Sequence, residues 1–241
     1  MQHRFRFLAS YDSGSRQWRI EADEFFHAKK VLRLGTGAEV EVFDGKGSWA
    51  EGLLGEMGKD YAIADCAALN KEERSKMSLS VALGALQQQT MADLVPCLVE
   101  LGVDKVHVFM QEGLAKARLN EKLLERWHKI AIAAAKQSKR AWLPTFSSSP
   151  SLEELVPALV QNHDGLWVLD PEAKQNLLNA DLSHKRASCL LLGSEKGLSA
   201  SDLELTYEAG FEAASLGPGI LRSFTAALAG AALMSAKRVY L

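Results

Sequence analysis

The chain has 241 residues, enough for two modest domains that each bury a core, and its formal net charge of −2 does not by itself indicate nucleic acid or a membrane surface as a partner. Its three cysteines are far apart and show no metal-binding spacing, so we expect no metal. No apolar run is long enough for a membrane span, and the amino terminus has no signal-like apolar core, so we expect a cytoplasmic protein without a membrane partner.

The first part of the chain shows strand patterns and one helical pattern. Strands are predicted at Arg4–Leu8, Glu39–Phe43 and Tyr61–Ala67, and Asp44-Gly45 is typical of a hairpin turn. Asp23–Leu34 has apolar residues at helical spacing and ends before Gly35. These elements predict a small β-barrel with one helix over residues 1–70, and a charged linker over residues 71–78.

The remainder, residues 79–241, alternates strand and helix patterns. Predicted strands lie at Leu79–Leu86, Val106–Met110 and Leu166–Leu169, and predicted helices lie at Met91–Val99, after Asn120 and after the serine-rich loop Ser147–Ser151. This alternation predicts an α/β domain with a mostly parallel sheet and helices on both faces.

Two glycine loops near the end of the chain follow two predicted strands. Cys189–Leu192 is an apolar run typical of a buried parallel strand, and the loop Gly193–Gly197 follows it. Ser199 and Asp202 form a capping-box pattern that begins a helix, which ends at Gly210. The next strand, Phe211–Leu216, leads into Gly217-Pro218-Gly219, after which Ser223 or Thr225 can cap the last helix. Ligands of open α/β sheets bind at such strand ends, so both loops are candidates for a binding site.

Motifs spread over the chain together resemble one family. They are His27–Arg33 with Gly35, Val42–Gly45, Glu100–Val103, Trp127–Ala134 with Gln137, Ser138 and Arg140, Leu192–Ser199, and Leu216–Arg222. Each motif alone is weak, but their order and spacing are specific. The chain resembles the RsmE family, the SPOUT-class methyltransferases that modify N3 of a uridine in 16S ribosomal RNA.

The resemblance implies an amino-terminal PUA-like RNA-binding barrel and a SPOUT-type α/β domain with a carboxyl-terminal trefoil knot, a topology that is otherwise very rare. It implies a homodimer that acts on 16S rRNA or the small ribosomal subunit and binds S-adenosylmethionine in its knot loops. The backbone and aliphatic residues expected to hold this cofactor are Leu169, Leu192, Gly193, Gly197, Leu216, Gly217, Ile220 and Leu221. For any one of these leucines, ordinary core packing is the alternative.

Two side chains are candidates for the chemistry, because N3 of uridine must lose a proton and its carbonyl charge must be stabilised. Arg222 is the candidate for holding an oxygen or a phosphate, and Glu195 for accepting a hydrogen bond or orienting the base. A surface ion pair and a solvated loop acid are the respective alternatives. The expected RNA-binding residues are Arg4, Arg6, Lys29, Lys30, Arg33, Lys139 and Arg140, each of which can equally belong to a solvated face.

The chain departs from the family pattern mainly at the site. Lys196 stands at a usual Gly, and Gly219, Ser223 and Phe224 stand at the usual Arg, Thr and Glu. These substitutions motivate a second interpretation, a catalytically impaired paralogue that binds RNA or the ribosomal subunit without methylating the standard uridine. A third interpretation, an unrelated α/β enzyme that uses a nucleotide, is disfavoured because the match covers both domains and no GxGxxG motif is present.

Overall fold

The structure is a computed structural model that describes residues 4–111 and 119–239 and divides into two compact units. The first unit takes the described residues of Met1–Arg74 together with Ala135–Leu143, and the second takes those of Ser75–Ala134 and Pro144–Leu241. The boundary between Arg74 and Ser75 lies inside the predicted linker. The sequence placed Ala135–Leu143 in the second domain, whereas the structure packs this segment with the first unit.

The first unit is built on one curled sheet. Its strands are β1 Phe5–Leu8, β2 Ser10–Asp12, β3 Gln17–Glu21, β4 Glu39–Phe43, β5 Ser48–Met57, β6 Tyr61–Cys66 and β7 Asn70–Lys71. Their order is β1-β4-β5-β6-β3-β2, with β7 beside β5, and all pairs except β1 with β4 are antiparallel. Alternate residues such as Phe7, Trp18, Ile20 and Val40 point into one buried core. The predicted strands are confirmed, while the short β2 and β7 were missed, and so was β3, although Gln17–Glu21 alternates polar and apolar residues.

The predicted helix of this unit is shorter and less regular than expected. An α-helix, α1, spans Ala22–Phe26, and a π-helix continues it over His27–Val31. The backbone then leaves the helix, because Arg33 adopts a left-handed φ of 53°. The helix therefore ends before the predicted boundary at Leu34, and Gly35 is not the residue that ends it.

The second unit contains a fully parallel sheet among its described strands. These are β8 Ser78–Gly84, β9 Lys105–Phe109, β10 Thr145–Ser149, β11 Gly165–Leu169, β12 Ala187–Leu192 and β13 Glu212–Ala214, in the order β10-β9-β8-β12-β11-β13. The helices are α2 Gln88–Glu100, α3 Glu121–Ser138, α4 Leu152–Asn162, α5 Ala200–Glu208 and α6 Ser223–Val239, with a 3-10 turn at Leu177–Asn179, and the end of α3 from Ala135 belongs to the first unit. This is the predicted alternation of strands and helices.

Local sequence signals explain several boundaries in this unit. The capping box is confirmed, since the Ser199 hydroxyl accepts from the Asp202 N–H and the Asp202 carboxylate accepts from the Ser199 N–H. The Asn120 side chain accepts from the N–H of Leu123 at the start of α3, as expected for a cap. The predicted serine-rich loop is wrong, because Ser147 and its neighbours form the edge strand β10, which pairs with β9. Serine is tolerated there because an edge strand is only partly covered.

No helix in residues 4–111 and 119–239 combines the length and the apolarity that a bilayer span needs. Within the same residues, no three His, Cys, Asp or Glu side chains are grouped as metal ligands. The structure thus offers no helical span and no metal cluster in the part that it describes.

Candidate functional site

The first glycine loop lies at the carboxyl end of β12 and is folded very tightly. A Cβ atom on Gly193 would lie 2.3 Å from the carbonyl carbon of Gly197 and 2.6 Å from the nitrogen of Leu198. Gly197 adopts a φ of +77° and donates its N–H to the Ser194 carbonyl at 2.9 Å. The loop can therefore close only with glycine at its first position, because any side chain would overlap its own backbone.

The second glycine loop follows β13 and approaches the first. Gly217 has a φ of +135°, which turns the chain away from the strand. The hydroxyl of Ser223, at the start of α6, then donates to the Ser194 carbonyl of the first loop. Ser223 thus links the two loops directly. Neither predicted cap precedes α6: Ser223 is its first residue and its hydroxyl donates to a carbonyl instead of accepting a helix N–H, and Thr225 lies further inside the helix.

Both loops line one cavity of about 690 Å³, which we call the strand-end cavity. Its walls are the ends of β11, β12 and β13, the two glycine loops and the first turn of α5. The eight residues predicted to hold the cofactor all line it, namely Leu169, Leu192, Gly193, Gly197, Leu216, Gly217, Ile220 and Leu221. The structure therefore brings this predicted set together, while its role in binding a ligand stays a prediction.

Gln111, just after β9, anchors the first loop, and sequence reasoning missed it. Its side-chain oxygen accepts the Ser194 N–H at 2.7 Å, and its side-chain nitrogen donates to the Gly197 carbonyl and to Asp202 Oδ2, both at 3.0 Å. A single amide thus holds both ends of the loop and the start of α5. A polar residue directly after a buried strand was the available signal, since strand ends carry the sites of parallel sheets.

Asp170 is an acidic residue in the wall of the strand-end cavity that was likewise missed. Its Oδ1 accepts the Glu172 N–H at 2.9 Å, and its Oδ2 accepts from the Tyr207 hydroxyl at 2.8 Å. Burial, followed by the hydrogen bond to Asp170 and its charge, raises the pKa of Tyr207 to about 12. Tyr207 is therefore protonated at neutral pH and orients the carboxylate as a donor.

The two predicted catalytic side chains do not line this cavity. Glu195 is exposed, and its Oε1 accepts the N–H of Gln87 at 3.0 Å, which caps the start of α2. Arg222 is also exposed and directly follows Ile220 and Leu221, which do line the cavity. The structure thus places both residues next to the glycine loops but outside the cavity itself.

One of the predicted RNA-binding residues is misassigned, because Arg6 is buried. Its side chain is 3% exposed, and its guanidinium lies 3.0 Å from the Glu41 carboxylate and donates to the Ala135 carbonyl. Burial lowers the pKa of Arg6, and the charge of Glu41 opposes that shift. A phosphate cannot reach this side chain, so Arg6 is a structural residue of the first unit.

The other predicted RNA-binding residues separate into two groups. Arg4 pairs with Glu39 and Glu51, Lys139 with Glu41, and Arg140 with Glu72, so each already has carboxylate partners within the first unit. Lys29, Lys30 and Arg33 are exposed on and after the π-helix. The second group is exposed and stands outside these ion pairs, whereas Lys139 of the first group is exposed but paired with Glu41.

The curled sheet of the first unit and the parallel sheet of the second, with a cavity at its strand ends, define a protein with one β unit and one α/β unit that offers a ligand-sized site. Residues 73–235 match the family described as RNA methyltransferase domain, and residues 20–65 match the RNA methyltransferase PUA domain. The chain belongs to the RNA methyltransferase family. The resemblance predicted from the motifs and the predicted fold class are thereby confirmed, and the knot remains a prediction.

Curated relatives support the same assignment. The chain is 27% identical over 233 residues to the ribosomal RNA small subunit methyltransferase E of Mycobacterium bovis, covering 86% of this chain and 82% of that protein. It is 25% identical over 222 residues to the protein of the same name from Bacillus subtilis, covering 87% and 86%. Both alignments extend over the two units.

Solved structures show the same fold. The ribosomal RNA small subunit methyltransferase E from Neisseria gonorrhoeae, bound to S-adenosyl methionine, has a TM-score of 0.84 at 24% identity over 98% of each chain. A methyltransferase from Legionella pneumophila in complex with the same cofactor has a TM-score of 0.84 at 21% identity, again over 98% of each chain. At these identities the likeness establishes the fold.

Proposed function

We propose that this protein transfers a methyl group from S-adenosylmethionine to N3 of a uridine in 16S ribosomal RNA, free or in the small subunit. The observation that carries the proposal is the convergence of both glycine loops on the strand-end cavity, whose walls include every residue expected to hold the cofactor. The names of the curated relatives and the cofactor bound in two structures of the same fold support it.

The residues of the strand-end cavity suit this cofactor. A volume of about 690 Å³ lies in the range of small-molecule sites, and Leu169, Leu192 and Leu216 provide apolar walls for an adenine ring. The tight turn at Gly193 brings backbone groups to the cavity edge without side chains in front of them. Asp170, oriented by Tyr207, supplies an acceptor for hydroxyl or ammonium groups. When bound, S-adenosylmethionine supplies an electrophilic methyl group.

The side chains beside the cavity can manage the proton and the charge of the base. Glu195 Oε1 already accepts a hydrogen bond from the Gln87 N–H. Its other oxygen, Oε2, is therefore the atom that would accept the proton from uridine N3. Arg222 adjoins the loop residues Ile220 and Leu221 and can donate to a uridine oxygen or a phosphate. Positioning of the two reactants provides most of the rate increase expected of such a site.

The same proposal includes a homodimer in the cytoplasm. Ile220 is 88% exposed although it is apolar and lines the cavity, and Leu221 and Leu178 are exposed as well. Helix α6 is rich in alanine, which permits close packing against another helix. A second copy of the chain is therefore the expected cover for these side chains, and ribosomal RNA as substrate places the protein in the cytoplasm.

A second candidate function is the catalytically impaired paralogue that binds RNA or the small subunit. Gly219 lines the cavity where the family usually has Arg, and Phe224 stands at the usual Glu. Neither Arg222 nor Glu195 lines the cavity, which is the observation that favours this candidate. It predicts cofactor binding without transfer to the standard uridine.

Two measurements test these candidates. Titration calorimetry with S-adenosylmethionine should show binding for either one, and absence of heat at high concentration would remove both. Mass spectrometry of 16S rRNA nucleosides should show loss of 3-methyluridine in cells without the protein and its return with the wild-type gene. Cells that carry only the Arg222→Ala variant should remain without 3-methyluridine. If the deletion strain instead keeps its 3-methyluridine, the catalytically impaired paralogue is the remaining candidate.

A further inference from the structure

A second cavity, of about 570 Å³, lies in the first unit, and we call it the helix cavity. It is lined by α1 and the π-helix on one side and by the turn between β5 and β6 on the other, through Glu21, Ala22, Phe25, Phe26, Lys29, Lys30, Lys59 and Asp60. Its volume suits one nucleotide-sized ligand. None of these residues belongs to the strand-end cavity.

An aromatic ring at this cavity is largely exposed to solvent. Phe26 is 61% exposed, while its neighbour Phe25 is 6% exposed and belongs to the core of the unit. Val31, one turn further on, is 58% exposed. An exposed aromatic beside a cavity provides a flat apolar face, and nucleobases of single-stranded RNA bind by stacking on such faces.

Cationic groups line the same cavity as this ring. Lys29, Lys30 and Lys59 line the cavity and are exposed, and the Lys29 ammonium lies 3.4 Å from the Gly58 carbonyl on the opposite wall. One of the two acids, Glu21, already pairs with Arg19 at 2.6 Å. The charge left at the rim is therefore positive, which is complementary to phosphate.

The backbone that presents these side chains is irregular. Ala22 adopts a φ of 48°, which is unfavourable for a residue with a Cβ, and the next turn is a π-helix instead of an α-helix. Such irregular segments concentrate at functional sites, where they re-aim side chains. Here the irregular segment carries Phe26, Lys29 and Lys30 to one side of the cavity.

We propose that the helix cavity binds one nucleotide of single-stranded RNA, with its base stacked on Phe26 and its phosphates held by Lys30 and Lys59. The proposal rests on the proposed function for its ligand class, because the substrate there is ribosomal RNA. It adds a subsite that positions the RNA strand and takes no part in the methyl transfer. Stacking is tolerant of sequence, so the subsite accepts any base.

The test compares variants of the full chain for binding a fluorescent single-stranded oligoribonucleotide. Phe26→Ala should weaken binding roughly tenfold, as loss of one stacked base does, and Phe26→Trp should retain it. Lys30→Gln should weaken binding and lower the slope of log affinity against log salt by about 1. Phe5→Ala is the matched control, since Phe5 is another exposed phenylalanine of the same unit, 40% exposed, outside the cavity.

Three outcomes overturn the proposal. The first is an unchanged RNA affinity of the Phe26→Ala variant. The second is a wild-type RNA affinity of the Phe26→Leu variant, because leucine keeps the apolar contact but cannot stack on a base. Altered sedimentation of Phe26→Ala without RNA would assign the ring to a contact between copies of the chain. Calorimetry with S-adenosylmethionine keeps the two proposals apart: Phe26→Ala should bind the cofactor like wild type, whereas a wild type without cofactor binding contradicts only the proposed function.

Discussion

The two cavities of this protein are lined by different kinds of chemical groups. Backbone and aliphatic side chains form the strand-end cavity, and its shape depends on Gly193, where no side chain fits. The helix cavity is formed by charged and aromatic side chains on an irregular helix, with Phe26 and three lysines at its rim. Substitutions that add a side chain should therefore disrupt the strand-end cavity, whereas substitutions that remove a side chain should disrupt the helix cavity.

The sheets beneath the two cavities also bury polar groups differently. In the first unit, the Arg6–Glu41 ion pair lies under the sheet with side chains that are 3% and 6% exposed. In the second unit, His107 and His163 are hydrogen-bonded to Ser147 and Ser80 beside the parallel strands. The first unit therefore buries a full ion pair where the second buries neutral hydrogen-bonded side chains, and this ion pair removes Arg6 from the residues available to RNA.

The largest expected effect concerns the buried ion pair. Glu41→Gln leaves Arg6 charged and buried without its carboxylate, so the free energy of unfolding of the first unit should fall by about 3–5 kcal/mol. Urea denaturation of the full chain measures this change. Glu39→Gln is the control, because the Arg4–Glu39 pair is 37% and 43% exposed and should contribute less than about 1 kcal/mol. Similar small losses in both variants would mean that the buried pair contributes no more to stability than an exposed one.

The next effect tests whether backbone shape makes the strand-end cavity. Gly193→Ala introduces a Cβ at 2.3 Å from the Gly197 carbonyl carbon, so the loop must shift by about 1 Å, and affinity for S-adenosylmethionine should fall on the order of 100-fold. Calorimetry measures the affinity. At Gly219, in the same cavity, a Cβ would meet nothing within 4 Å, so Gly219→Ala should bind nearly as wild type. Equal losses in both variants would contradict the role assigned to the close approach.

A smaller effect tests the amide that anchors the first loop. Gln111→Glu keeps the acceptor for Ser194 but removes both donated bonds and places a carboxylate at the 3.0 Å contact with Asp202, so cofactor affinity should fall about tenfold at pH 8. The repulsion from Asp202 raises the pKa of the introduced carboxyl, so it gains a proton as pH falls and affinity should recover toward pH 5.

A matched charge change outside the cavity is available for that measurement. Gln89 is exposed on α2 and donates to Asp93 at 2.9 Å, so Gln89→Glu creates a similar carboxylate pair away from the loops. It should leave cofactor affinity unchanged at both pH values. A loss in Gln111→Glu without recovery in acid would mean that Gln111 acts by packing alone.

The smallest effect concerns the neutral histidines. Burial, helped by the charges of His163 and Lys105, lowers the pKa of His107 to about 4, so between pH 6.5 and 4 the unfolded chain takes up a proton that the folded chain does not. Stability should be complete above pH 6.5 and fall as pH decreases toward 4, with a slope of at most about 1.4 kcal/mol per pH unit for this group. His107→Gln should flatten the acid limb of the unfolding curve, whereas the exposed His128→Gln should not. Equal slopes in all three proteins would exclude His107 as the cause.

Much of the strand-end cavity was accessible to prediction from the sequence. Cys189–Leu192 is apolar throughout because β12 is buried among parallel strands, and glycines mark the loops that follow β12 and β13. Since parallel strands bring their carboxyl ends to one edge, periodicity and glycine positions were enough to place the loops together. The capping box at Ser199 was predictable because it is a contact within four residues.

Contacts over long sequence separations had no such signal. Gln111 reaches Ser194 and Gly197, which are more than eighty residues away, and Arg6 meets Glu41 on the paired strand β4. The identity of a basic residue does not tell whether its side chain is buried in the fold. Only the tertiary structure therefore distinguished the buried Arg6 from the exposed Lys30. The irregular turn at Ala22 and the exposure of Phe26 were likewise decided by packing of the helix against the sheet.

The sequence by itself therefore determined the alternation of elements, the family and the loops of the strand-end cavity, because these depend on local periodicity, turn chemistry and motif order. Only the tertiary structure decided which charges are paired, which amide anchors the first loop and where an aromatic ring faces solvent. Those properties depend on the distance between residues far apart in the chain, and on burial, which no local pattern encodes.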